Sequence, residues 1–231
     1  MSKVGIIADI HSNLPALETA LQILKEQGVD RIIVCGDIVG YGKSPNECCH
    51  RIRGLSCPVV AGNHDWAVAG LTEYRHSHSR DAVRGIDFTK GVITPENLSW
   101  LESLPLYYTE DDMEFVHSSL VRPEEWYYLT LGTSSADSAW QDVQDNFTAL
   151  RGKLCFVGHS HVPTIFLEKG PKNIKVIRPS RPSYDLQGNR AIIDVGSIGQ
   201  PRTSSKRAAF LIYDTGTHEI CFKRFTLRAI G

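Results

Sequence analysis

FVGHSHVPTIF, residues 156–166, sets His159 and His161 directly after an apolar run, with one serine between them. The same placement recurs along the chain. Asp9 and His11 follow VGIIA, Asp37 follows RIIVCG, Asn63 and His64 follow PVVAG, and His117 follows EFV. Carboxylate or amide oxygen combined with imidazole nitrogen suits borderline divalent ions, Mn first, with Fe, Zn or Ni also matching the donors. Cys35, Cys48, Cys49, Cys57, Cys155 and Cys221 form no CxxC pair and several sit in apolar runs, so they read as reduced, packed thiols rather than disulfides or a thiolate site. Asp9, His11, Asp37, Asn63, His117, His159 and His161 are too many donors for one tetrahedral ion. They suit two ions roughly 3.5–4 Å apart, an arrangement that binds both the attacking and the leaving oxygen of a phosphoryl displacement.

Such donors converge only if the elements beneath them deliver the loops to one place. VGIIADI from Val4, RIIVCGD from Arg31 and PVVAGN from Pro58 read as buried strands. NLPALETALQILKEQG reads as a helix, with Leu17, Ala20, Leu21 and Leu24 at helical spacing, Pro15 in the first turn and Gly28 after the last. PNECCHRIRGL is a shorter helix, the segment from His64 to about Lys90 reads as partly helical and loop-rich, and TPENLSWLESL is a helix capped by Thr94. LYYTEDDMEFVHSS suggests a hairpin, SADSAWQDVQDNFTAL a helix and KLCFVGHS another strand; beyond Thr164 short strands alternate with turns such as EKG, LQGN and DTG. The expected fold class is α/β (α+β): two mixed sheets flanked by helices, in one domain over residues 1–231. In an open α/β sheet the strand ends are where ligands bind, because converging loops are held by rigid strands. Residues two apart in an extended segment point to one side, so ADIH and GHSH are each expected to offer a pair of donors in one direction.

Lys+Arg 25 against Asp+Glu 26 in 231 residues leaves no positive excess to hold a polyanion by counterion release, which disfavours nucleic acid as the main partner. The opening MSKVGIIADIHS is neither a signal peptide nor long enough to span a bilayer, so a cytoplasmic protein without a membrane partner is expected. The oligomeric state stays open.

DIH at Asp9, GDIVG at Gly36, GNHD at Gly62, VHSS at Val116 and GHSH at Gly158 appear in the order of the calcineurin-like metallophosphoesterases, which the chain resembles over most of its length. DIHSNLPALE and VGSIGQPR make it similar to the small bacterial and archaeal branch that includes YfcE-type phosphodiesterases and diadenosine-tetraphosphatase-related proteins. The resemblance implies a four-layer αββα sandwich. It also implies that Asp9, His11 and His161 bind one metal, that Asn63, His117 and His159 bind a second, and that Asp37 bridges them. His64 would be the non-ligand histidine that stabilises or protonates the leaving oxygen, a task suited to a side chain with an ordinary pKa near 6.5. The expected reaction is hydrolysis of a phosphoric ester or anhydride, a phosphodiester or a dinucleoside polyphosphate, by hydroxide generated at the metals.

Tyr41, Arg122 and Arg202 are the candidate substrate contacts: Tyr41 as a pocket wall or else a turn cap, and the arginines for a second phosphate or else as surface charge pairs. His50 and His218 read as ordinary surface or core histidines. RHSHSR, residues 75–80, repeats HSH without a preceding strand and reads first as a solvated loop or helix face, second as an anion-contacting loop over the metals. The GDYVDRG of the protein serine/threonine phosphatases is absent. The alternative to an enzyme is a non-catalytic metal-binding scaffold, a use the same fold has in the retromer subunit of the superfamily. That scaffold has lost key histidines, whereas all seven donors and His64 are present here. A nuclease reading rests on the metal blocks alone and ranks last.

Overall fold

The structure, a computed structural model, describes residues 2–129, 136–170 and 173–227. KVGII forms β1 (Lys3–Ile7), paired parallel to β2 (Arg31–Cys35), which pairs parallel to the two-residue β3 (Val59–Val60). Between β1 and β2 runs α1 (Leu14–Glu26): the Asn13 side chain accepts from the Ala16 N–H at its start, Pro15 sits in its first turn, and Ala16, Leu17, Ala20, Leu21 and Leu24 form its buried stripe. Gly28, at φ 63°, turns the chain out of the helix, a conformation that favours glycine. α2 (Pro45–Arg53) follows β2.

β3 is shorter than its sequence suggests, because Asn63 already opens α3 (Asn63–Ala69). The segment expected to be loop-rich contains this helix and α4 (Arg80–Val92). Three of the four buried positions of α4, Ala82, Gly85 and Thr89, are small or polar and only Ile86 is large, which hides its periodicity from a hydrophobicity reading. α5 (Pro95–Glu102) starts at Thr94, whose hydroxyl accepts from the Asn97 N–H.

β4 (Tyr107–Glu110) and β5 (Met113–Val116) form the hairpin at the acidic turn, and α6 (Ala136–Ala149) follows; Ser135, the first residue of the helix read from sequence, lies outside the described residues. The remaining strands are β6 (Leu154–Val157), β7 (Thr164–Gly170), β8 (Asn173–Ile177), β9 (Ser183–Asp185), β10 (Ala191–Asp194), β11 (Arg207–Asp214) and β12 (Glu219–Thr226).

Two six-stranded mixed sheets result, in the orders β3-β2-β1-β11-β12-β9 and β4-β5-β6-β10-β7-β8. Alternation along the strands divides the apolar residues among layers. Val4, Ile6, Ile33 and Leu211 of the first sheet meet Phe115, Phe156, Ile165 and Ile193 of the second. On the other face of the first sheet, Ile7, Val34 and Phe210 pack with Leu17, Leu24, Ile52, Ile86 and Leu101 of the helices, while Val157, Phe166 and Ile192 of the second sheet pack with Val143 and Phe147 of α6. Helices, sheet, sheet and helix make the four-layer αββα sandwich. Among the described residues no helix is long and apolar enough to cross a membrane, and all six cysteines are free thiols.

Candidate metal centre

β1 and β2 are parallel, as are β5 and β6, so the loops after them leave the same edge of their sheets. The pairing continues beyond the strands. Asp9 donates its N–H to the Gly36 carbonyl (3.1 Å), His11 to Asp37 (2.9 Å) and Ser12 to Ile38 (2.9 Å), which zips DIH onto GDI. Gly158 donates to the His117 carbonyl (2.8 Å), and His159 donates its N–H to the Asp9 carboxylate (3.0 Å), which joins the two sheets. A Cβ on Gly158 would stand 2.5 Å from that carboxylate, so only glycine leaves room for it.

The donors do not converge by strand alternation, as expected from sequence. Asp9, His11, Asp37, His159 and His161 have φ of 53°, 51°, 53°, 66° and 61°, so each stands on a left-handed turn rather than in extended chain. Non-glycine residues in that region cost of order 1–3 kcal/mol each, and the surrounding hydrogen bonds must over-determine them.

Two groups of side chains present ligand atoms within 4.8 Å of one another: Asp9, His11, Asp37 and His161, and Asp37, His117 and His159. The ring of His11 bonds through Nδ1 to the Val39 carbonyl (3.2 Å), that of His117 to Cys35 (2.7 Å) and that of His161 to Gln200 (2.5 Å). A carbonyl only accepts, so Nδ1 carries the hydrogen and a neutral ring turns a bare Nε2 inward. These nitrogens face other acceptors: His11 Nε2 lies 3.1 Å from His161 Nε2, and His117 Nε2 lies 3.2 Å from Asn63 Oδ1. Asp9 Oδ1 is 3.1 Å from His161 Nε2, and neither it nor the buried His159 Nε2 has a hydrogen-bond partner among the described residues. Asp37 Oδ2 is 3.3 Å from His117 Nε2 and 3.6 Å from His11 Nε2. Buried acceptors facing acceptors call for a cation between them, and this donor set fits divalent metal ions.

Without metal, protons take that place in part. Burial opposes charge on His117, but Asp37 and Asp9 outweigh it and raise its pKa to about 10. Burial likewise opposes charge on Asp37, yet His117, His64 and His11 hold its carboxyl well below the usual range. Burial drives His11 and His159 well below the ordinary imidazole value. His64 is pushed down by burial to about 4, with Asp37 opposing and His78, His117 and His161 adding to the fall. The ordinary value assumed from sequence is thus corrected: His64 is neutral at pH 7.

A cavity of about 510 Å³ opens over the centre, lined by Tyr41, Asn63, His64, His78, Tyr128 and Arg202 among others. Tyr41 and Arg202 are therefore beside the donors, with the guanidinium 3.4 Å from the hydroxyls of Tyr41 and Tyr128. Arg122 is not brought there; it is exposed and paired with Glu125 (3.0 Å), with its guanidinium over Tyr127. Three residues escaped the sequence reading. Tyr128 stacks on His159 at 4.0 Å. Buried Asp65 accepts from the N–H groups of Ile38 (2.9 Å), Val39 (3.1 Å) and Gly62 (2.9 Å), tying GDIVG to GNHD; an acid three residues after a helix-opening glycine was the available signal. His78, in RHSHSR, is half-buried and hydrogen-bonds to Asn63 (2.6 Å), so that stretch is not solvated throughout.

The profile of the family described as "Calcineurin-like phosphoesterase superfamily domain" matches residues 2–218. An uncharacterized protein of Methanocaldococcus jannaschii is 38% identical over 217 residues, which is 92% of this chain and 83% of that one. A phosphodiesterase of the same organism is 30% identical over 74 residues, 31% of this chain and 42% of its own. A metallophosphoesterase from Sphaerobacter thermophilus superposes with a TM-score of 0.81 at 35% identity, covering 98% of this chain and 89% of that one.

Proposed function

The chain belongs to the calcineurin-like phosphoesterase superfamily and is a phosphoesterase of a metal-dependent family, and from that premise we propose that it is a dinuclear phosphodiesterase or dinucleoside polyphosphate hydrolase acting on a small phosphate ester or nucleotide in the cytoplasm. The observation that carries the reading is the nest of buried acceptors facing one another, in two groups that share Asp37. Asp9, His11 and His161 would hold one divalent ion and Asn63, His117 and His159 the other, with Asp37 held by both and manganese the first candidate. When bound, such a pair neutralises charge on phosphoryl oxygens and acidifies water.

The protein's own groups do the rest. Carbonyls of Val39, Cys35 and Gln200 hold Nδ1–H and the ring planes of His11, His117 and His161, so each Nε2 points into the centre before anything binds; that of His117 still carries a proton, which a metal would displace. His64, neutral and buried, offers an N–H to the leaving oxygen rather than arriving as a protonated acid. Arg202, spanning the two tyrosine hydroxyls at the cavity wall, supplies a cation to a second phosphate or to the diester's distal oxygen.

The test strips the protein with a chelator, restores Mn and compares initial rates on a phosphodiester, a phosphomonoester and diadenosine tetraphosphate. Metal-dependent preference for the diester or the dinucleotide is expected and chooses between them. Equal or greater turnover of the monoester, or turnover of none with metal bound, refutes the reading.

A further inference from the structure

Asn63 differs from the other proposed donors in one chemical respect: its amide has an accepting end and a donating end of almost the same shape, and only the oxygen can ligate a cation. Something must hold it the right way round. We propose that His78 is a positioning residue that orients the Asn63 amide, so that the RHSHSR loop completes the second metal position; this rests on the dinuclear reading above.

The direction of the hydrogen-bond chain carries the argument. Ser77 Oγ donates to the Glu73 carbonyl (3.2 Å), so toward His78 Nδ1 (2.9 Å) it acts as acceptor. His78 therefore carries its hydrogen on Nδ1 and turns a lone pair on Nε2 to Asn63, 2.6 Å from Nδ2. The Asn63 nitrogen donates into that lone pair, and its oxygen is left on the opposite side, 3.2 Å from His117 Nε2. Reversing the amide would set its oxygen against the His78 lone pair and its nitrogen against the metal position.

The loop is built to hold this geometry. Tyr74 is 8% exposed and packs in the core beneath α4, with its hydroxyl donating to Asp87 (2.5 Å). The Glu73 carboxylate accepts from the N–H groups of Tyr74 (3.0 Å) and Arg75 (2.7 Å), His78 N–H donates to the Tyr74 carbonyl (3.1 Å), and Ser79 caps α4. His76 in the same stretch is exposed, so the two histidines of HSH have different tasks.

The experiment titrates metal-free full-length protein with Mn2+ by calorimetry. Wild type is expected to bind two ions. His78→Phe keeps one affinity and weakens the other by about 10–100-fold, the usual cost of losing a group that orients a ligand. His78→Gln, whose side-chain oxygen accepts the same N–H, restores the weakened ion, and melting temperatures in chelator stay equal for all three proteins. Both ions bound to His78→Phe with wild-type affinity overturn the proposal, as does equal weakening of both ions or failure of His78→Gln to restore. Should His78→Phe fail to fold, Ser77→Ala carries the test: it releases the ring to its other tautomer and must weaken the same ion, and unchanged affinity for both overturns the proposal. A wild type that does not bind two ions refutes the dinuclear reading itself, before any variant is compared.

Discussion

Asp9 and His11 stand on turns zipped by backbone hydrogen bonds to the chain just after β2, with Ser197 Oγ on the Asp9 carbonyl (2.8 Å) and Gly199 N–H on the same oxygen (2.9 Å), and the His161 ring is anchored on the Gln200 carbonyl (2.5 Å). Asn63 and His159 are held differently. Asn63 opens a seven-residue helix and takes its orientation from a loop side chain, and His159 lies against Tyr128, which is 49% exposed. In the first half main-chain bonds set Asp9 and His11; in the second they set His117 through the Gly158 N–H (2.8 Å), while the Asn63 amide and the His159 ring rest on side chains. Main-chain pairing cannot be lost without opening a sheet edge, whereas a side-chain contact is lost by one rotation, so the second half is the softer one.

The comparison breaks most completely at Asp37, which belongs to both halves. Asp37→Asn is expected to abolish binding of both ions and to lower kcat/KM by at least about 10²–10³-fold; one ion retained at wild-type affinity, measured by calorimetry, would show that the halves do not share it. His161→Ala and His159→Ala separate the halves. Each should lose one ion and keep the other, read as metal content per chain, and full content in both variants would remove these residues from the ligand set.

Asp65→Ala leaves three buried N–H groups of two motif loops unpaired, and destabilisation of about 3–5 kcal/mol is expected in denaturant titration of the chelated protein. A loss below about 1 kcal/mol would mean that water replaces the carboxylate. The mildest effect concerns protons. His117 retains its proton up to about pH 10 without metal and must give it up to act as a ligand. Mn2+ binding at pH 7 is thus expected to release one proton, and affinity at that position to rise about tenfold per pH unit until near pH 10. Calorimetry in buffers of different ionisation enthalpy counts the proton, and an uptake or a null result contradicts the assignment.

Much of this was legible in the chain itself. β1, β2 and β6 are short β-branched or apolar runs that stop at a polar residue, and α1 carries its cap, proline and apolar stripe within fifteen residues; local chemistry suffices there. α3 and α4 were harder to read because one is seven residues long and the other buries mainly small or polar side chains, so neither displays the periodicity that depends on large apolar residues.

At the centre, the sequence by itself determined which side chains carry oxygen and nitrogen donors and that they follow strands, since residue type and hydrophobic pattern are local properties. Only the tertiary structure decided how they meet. The left-handed turns at Asp9, Asp37 and His161 exist because bonds to distant segments hold them there. Burial, with His78, His117 and His161 from three other segments adding to it, lowers His64 to about 4. The task of His78 depends on a contact across 15 positions and that of Arg202 on tyrosines 74 and 161 positions away, distances over which a sequence pattern has no period to show.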